Sequence, residues 1–133
     1  ENQTILVLGG NNIMESILKS IKKLLGISEE ETHFDSDLIM HINSVFTILN
    51  QLGVGPNKTF SINDDTEIWD SFIDDDADFN AVKTYMYLKV KLLFDPPLSS
   101  SVLSAIERQI SELEWRLNVN ASRESTEEVN DEY

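Results

Sequence analysis

Apolar residues recur at steps of three and four in every long segment of this 133-residue chain. A strand places successive side chains on opposite faces, whereas steps of three and four gather apolar side chains on one face of an α-helix. The pattern predicts four helices, near residues 14–25, 36–52, 78–94 and 100–117. We therefore expect an all-α fold, a small bundle of about four helices, with no sheet beyond a short strand.

Residues that begin or end helices lie between these segments. Gly26 and Gly53 each follow an apolar stripe, where a glycine in the left-handed conformation ends a helix. Pro96 and Pro97 end the third helix, because proline lacks an amide hydrogen and disfavours helical geometry in the residue before it. Asp35 is predicted to be the N-cap of the second helix, its carboxylate accepting hydrogen bonds from free amides of the first turn.

A long acidic loop separates the second and third predicted helices. From Ser61 to Asn80 there are eight acidic residues and no basic one. Loops this long inside a compact domain are usually functional or disordered, so we expect apolar side chains to anchor this one on the core. The candidate anchors are Phe60, Ile62, Ile68, Trp69, Phe72 and Ile73.

Composition divides the chain into three parts. Residues 1–13 precede the first apolar stripe, and we expect them to be a leader or an extension added in cloning. Residues 14–120 contain all four stripes and are predicted to form one domain. Residues 121–133 are polar and acidic, with a single Val and a single Tyr, and are predicted to be a disordered tail in the isolated subunit.

Several kinds of chemistry are disfavoured. A net charge of −14 argues against binding the outside of duplex DNA, since that affinity depends on Lys and Arg. Asp74, Asp76 and Asp78 alternate as the first ligands of an EF-hand calcium loop do. Such a loop also requires a glycine and a bidentate glutamate, but Phe79 and Tyr85 occupy those two positions. No nucleophile, base and orienting group converge on one predicted helix face. We therefore predict that the chain is not an enzyme and has no cofactor and no metal site. We also predict no membrane segment, because no apolar stretch approaches the roughly 20 residues that a membrane helix needs.

The second predicted helix has an uncharged polar face, because no charged side chain occurs from Leu38 to Leu52. Solvated helices usually carry Lys and Glu, so an uncharged face is more easily buried against a neighbour, either in the same chain or in another subunit. The main residues of this face are Asn43, Thr47, Asn50 and Gln51.

Trp115 lies well over 100° from the apolar stripe of the fourth predicted helix. It is either an anchor for a partner, since Trp dominates interface energetics, or it packs under the acidic loop or on the first helix. Glu112 and Arg116 are spaced to pair across one turn. The complete set of interface candidates is Asn43, Thr47, Asn50, Gln51, Trp69, Trp115, Arg116 and Asn118.

Three segments carry a resemblance to a known family. They are LIMHINSVFTILNQLGVGP at residues 38–56, AVKTYMYLKVKLLFDPP at 81–97 and ISELEWRLNV at 110–119. Together they resemble the head-tail connector proteins of long-tailed bacteriophages, also called head-completion or adaptor proteins. The most specific parts are the LGVGP turn and the LFDPP break. The resemblance spans about residues 14–120, which we expect to be a helical connector domain.

This resemblance implies a structural virion protein, assembled in the host cytoplasm, that forms a homo-oligomeric ring of about twelve copies beneath the portal protein. The ring would extend the DNA channel and meet a tail-side completion protein, with DNA present only as transiting cargo. In relatives the final helix or chain end reaches the portal and the long loop reaches the tail side. Here these are the segment after Leu117 and the loop around residues 54–77.

An acidic protein of this size has an alternative interpretation, a soluble binding module such as a phage-encoded DNA mimic that inhibits a host protein by occupying its basic cleft. The net charge supports both readings. They differ in assembly, because a mimic is a monomer or dimer whereas a connector forms rings or binds a portal.

Overall fold

The structure, a computed structural model, describes the backbone of residues 12–73 and 76–131 and their side chains except at 76–77 and 125–131. It contains helices α1 (Ile17–Leu25), α2 (Asp35–Gln51), α3 (Asp76–Phe94) and α4 (Ser100–Asp131), and a 3-10 helix at Trp69–Ser71. The described residues contain no strand, only an isolated bridge between Ser16 and Ile68. The predicted all-α bundle of about four helices is confirmed.

Helix α3 is central, packing against each of the other three helices. Its stripe Val82, Tyr85, Met86 and Val90 is fully buried. Helix α4 runs antiparallel to it in a register fixed by two hydrogen bonds. The Tyr85 hydroxyl donates to the Glu114 carboxylate at 2.7 Å, and the side-chain amide of Asn120 donates to the Asp78 carboxylate at 3.2 Å.

Helix α1 begins at Ile17, later than the predicted residue 14. Ser16 has extended backbone geometry, and its hydroxyl accepts a hydrogen bond from the Lys19 amide at 3.2 Å, which makes it the N-cap. Met14 lies outside the helix and its side chain is 60% exposed. The predicted stop at Gly26 is confirmed by its left-handed φ of 82°.

The predicted N-cap at Asp35 is wrong. Asp35 is the first residue of α2, and Phe34 precedes it without a side-chain cap. The Asp35 carboxylate instead lies 2.9 Å from the ammonium of Lys22, whose side chain is only 2% exposed. That ammonium also donates to the carbonyl oxygens of Glu29 and Glu31 at 3.3 and 2.5 Å. A buried ammonium needs an opposite charge and acceptors for its hydrogens, and this need outweighs capping.

The acidic loop is anchored on the core, as predicted. The rings of Phe60 and Phe72 lie 4.9 and 4.7 Å from that of Phe46 on α2. Ile62, Trp69, Phe72 and Ile73 are all buried, and Phe60 and Ile68 are partly so. Packing therefore gives the described part of this loop, residues 60–73, a defined path despite its four carboxylates.

Helix α4 continues to Asp131, beyond its predicted end at residue 117. The apolar stripe ends at Leu117, but neither glycine nor proline follows Pro97, so no residue stops the helix there. The mobility of residues 121–133 in the isolated subunit stays a prediction, as does the origin of residues 1–13. Residues 1–11, 132 and 133 lie outside the described part of the chain.

Candidate interaction surfaces

Asn43 belongs to an intrachain contact, not to a free surface. Its amide nitrogen donates to the carbonyl of Ile62 at 3.0 Å, and its amide oxygen accepts from the Ile62 amide at 2.8 Å. Ile62 is 1% exposed, and buried backbone groups need hydrogen-bond partners. Asn43 thus holds the acidic loop against α2, and its place at a subunit contact stays a prediction.

Of the other interface candidates on α2, one contacts the loop and two are exposed to solvent. The Asn50 amide donates to the carbonyl of Pro56 at 3.4 Å and is half-buried. Thr47 and Gln51 are exposed, although the Thr47 hydroxyl donates to the carbonyl of Asn43. From residue 40 to 51, the exposed side chains of α2 form what we call the uncharged stripe, which consists of Met40, Ser44, Thr47 and Gln51.

Trp69, another interface candidate, lies in the core of the chain, and a contact with a partner there stays a prediction. Its side chain is 0% exposed, and the indole N–H donates to the Ser20 hydroxyl at 2.8 Å. The Ser20 hydroxyl donates in turn to the carbonyl of Ile17 at 2.9 Å. A buried indole needs an acceptor, and α1 provides it.

Trp115 lies at the surface, with 67% of its side chain exposed. It is not packed under the loop or on α1. Beside it, Arg116 pairs with Glu112 at 2.5 Å, as the spacing predicted, and both side chains are more than half exposed. The Asn118 amide donates to the carbonyl of Leu52 at 3.1 Å, which ties α4 to the end of α2.

Exposed apolar side chains that were not predicted from the sequence lie where α2 and α4 begin and α3 ends. The rings of Phe34 and Phe94 lie 5.3 Å apart, which joins α2 to α3 there. The apolar end, as we call it, consists of Phe34, Leu93, Leu98 and Val102, of which Leu98 is completely exposed. A signal was available, since Leu98 follows two prolines and Val102 lies beside the stripe of α4. Exposed apolar side chains at one end of a bundle are candidates for contact with another protein.

A cleft of about 520 Å³ lies near the other end of the bundle. The turn after α2, the 3-10 helix region and the part of α4 beyond Leu117 surround it. The LGVGP turn, Phe72 and Ile73 were singled out from the sequence, but their arrangement around a cleft was not predicted. The residues that line the cleft are Gly53, Val54, Gly55, Pro56, Asp70, Ser71, Phe72, Ile73, Asp78, Leu117, Ala121 and Glu124.

One buried titratable group in the described part of the chain has a strongly shifted pKa. Burial, reinforced by the hydrogen bond to Glu114, raises the pKa of Tyr85 well above its usual range, so this phenol stays protonated and structural. Among residues 12–73 and 76–131, no group of three or more His, Cys, Asp or Glu side chains is placed to hold a metal ion. No described helix is both long and apolar enough to cross a bilayer.

Comparison with known proteins identifies the family. The model of the phage connector protein family matches residues 17–124, which include all of α1, α2 and α3 and most of α4. Neither a curated protein nor a solved structure matches the chain. The match covers the region that carries the resemblance in sequence, and it confirms that expectation. The chain belongs to the phage connector protein family.

Proposed function

We propose that this chain forms a ring of about twelve copies that joins the portal to the tail and continues the DNA channel. The family match carries this proposal, because a phage connector is a structural part of the virion and not normally an enzyme. The match gives no support to the alternative of an acidic DNA mimic.

The exposed surfaces support assembly into a ring. Each subunit of a cyclic ring contacts two neighbours through different patches of its surface. The uncharged stripe on α2 and Trp115 on α4 are exposed and lie on separate helices. In a chain of net charge −14, a contact surface without carboxylates, such as the uncharged stripe, keeps the repulsion between subunits low.

The length of α4 supports contact with the portal at one end of the ring. Its hydrogen bond from Asn120 to Asp78 lies close to the start of α3 at Asp76. Residues 121–131 continue the helix roughly 16 Å past this bond, at about 1.5 Å per residue, with Ala121 and Glu124 still beside the cleft. This end of α4 is the part that the resemblance assigns to the portal, and the acidic loop is the part assigned to the tail-side completion protein.

The charge of the chain supports a role in lining a channel. Carboxylates facing a lumen repel the phosphates of passing DNA, so the DNA moves through without being held. The chain has 24 acidic residues against 10 basic ones, enough to provide such a surface beside the neutral contact surfaces.

Replacing Trp115 with Ala tests the assembly surface. We expect ring formation or portal binding to weaken by on the order of 2 kcal/mol, as for an interface hot spot. Because the side chain is 67% exposed, the free energy of unfolding should change by less than about 0.5 kcal/mol. Assembly is measured by mass photometry with purified portal, and unfolding by urea denaturation.

Met14→Ala is the matched control, since Met14 is another exposed apolar residue but lies outside the four helices. It should leave both assembly and stability unchanged. Normal assembly of the Trp115→Ala variant would show that Trp115 is not part of the contact.

A further inference from the structure

The cleft beside the LGVGP turn has an apolar floor. Val54, Phe72, Ile73 and Leu117 line it and are each at least nine-tenths buried. Gly55 has a φ of 89°, and a Cβ atom there would overlap the ring of Phe72. Glycine is therefore required both by the backbone conformation and by the close approach of the turn to this floor.

The rim of the cleft is acidic. Asp70 stands exposed on the 3-10 helix, and Asp78 and Glu124 lie on α3 and α4. The described lining residues include no Lys and no Arg. A concave, low-dielectric site lined by charges of one sign concentrates their field and attracts the opposite charge.

We propose that this cleft binds a Lys or Arg side chain on an extended segment of a partner protein. These side chains combine an alkyl stem, which packs on apolar surface, with a cationic head that hydrogen-bonds to carboxylates. The cleft, of about 520 Å³, has room for one long side chain. A bare metal ion is a poorer match, because no described set of three side chains converges closely enough to coordinate one.

This inference goes beyond the proposed ring, since the cleft does not need a neighbouring subunit to be complete. It predicts that a partner in the particle presents a basic segment to the end of the bundle where α2 terminates. Nucleic acid is excluded as the occupant by the sign of the rim charge.

The test uses the full-length chain labelled with ¹⁵N and a synthetic peptide of alternating arginine and glycine. Binding should shift the backbone amide signals of Gly53, Gly55 and Ser71 more than those elsewhere. The Asp70→Asn variant should bind about threefold to fivefold more weakly, as expected for one partly exposed charge pair. Glu107→Gln makes the same change of charge at an exposed position on α4 outside the cleft, and it should bind like the original chain.

Three results would overturn the proposal. One is that shifts are absent or spread evenly over the acidic surface. Another is that Glu107→Gln and Asp70→Asn weaken binding equally, and a third is that a peptide with citrulline in place of arginine binds as well. If the same cleft signals shift with protein concentration alone, the occupant is a second copy of this chain and not another protein. A ring that assembles normally in the Asp70→Asn variant leaves the connector role intact, so the two proposals fail separately.

Discussion

Replacing Trp69 with Ala is expected to lower the free energy of unfolding by about 3–5 kcal/mol, the cost of removing a large aromatic side chain from a core. Trp69 is fully buried, and its ring lies 5.7 Å from that of Phe79 on α3 and 6.4 Å from that of Phe46 on α2. Its indole also holds α1 through Ser20. The variant loses contacts with three helices at once, and urea denaturation followed by circular dichroism measures the loss.

Two comparisons identify the cause of that loss. Trp69→Phe keeps most of the apolar volume and removes the hydrogen bond to Ser20, so it should cost less than the change to Ala. Trp115→Ala removes the same side chain from the surface and should change stability by less than about 0.5 kcal/mol. If Trp69→Ala and Trp115→Ala destabilise the chain equally, the acidic loop is not anchored by Trp69.

Replacing Lys22 with Met is expected to cost about 3 kcal/mol, the lower end of the range for removing one partner of a buried ion pair. The variant leaves the Asp35 carboxylate without its counter-charge, and it leaves the carbonyls of Glu29 and Glu31 without their donor. The lower end applies because the Asp35 side chain is 27% exposed and water offsets part of the loss. The measurement is again the midpoint and slope of urea denaturation.

Lys23→Met is the matched control, since Lys23 is the next residue of α1 and is exposed. It should have almost no effect. The double variant Lys22→Met with Asp35→Asn should recover part of the loss, because it no longer contains an uncompensated carboxylate. A loss below about 1 kcal/mol in Lys22→Met would show that this pair behaves as a surface salt bridge.

The helices were predictable because each depends on local periodicity. The stripe of α3 was identified from the spacing of its apolar residues, and it is the central buried element. The end of α4 was placed too early because the prediction relied on the last apolar residue, Leu117. Neither of the residues that commonly end a helix, glycine and proline, occurs after Pro97, and α4 extends past Leu117.

The polar contacts were not predictable, because they join residues far apart in the chain. Asn43 and Ile62 are separated by 19 positions, and Trp69 and Ser20 by 49. Periodicity identifies the face on which Asn43 lies, but it does not show that the acidic loop returns to that face. The same reason explains the error at Asp35, whose carboxylate had two possible roles, N-cap or partner of Lys22.

The surfaces available to partners therefore differ from those expected. Asn43 and Trp69 are used inside the chain, whereas Thr47, Gln51 and Trp115 remain exposed. The apolar end and the cleft add two surfaces at separated parts of the bundle. In the proposed ring each subunit would meet two neighbours and two partners, which requires several independent surfaces of this kind.

The most direct test of the connector role is the mass of the chain mixed with the portal protein of the same phage, compared with the mass of each alone. The proposed function predicts that about twelve copies of the 15.1 kDa chain add to each portal ring. Because assembly is cooperative, the loaded portal should appear as one species of a single mass. A chain that stays monomeric or dimeric and adds no mass to the portal would contradict the account.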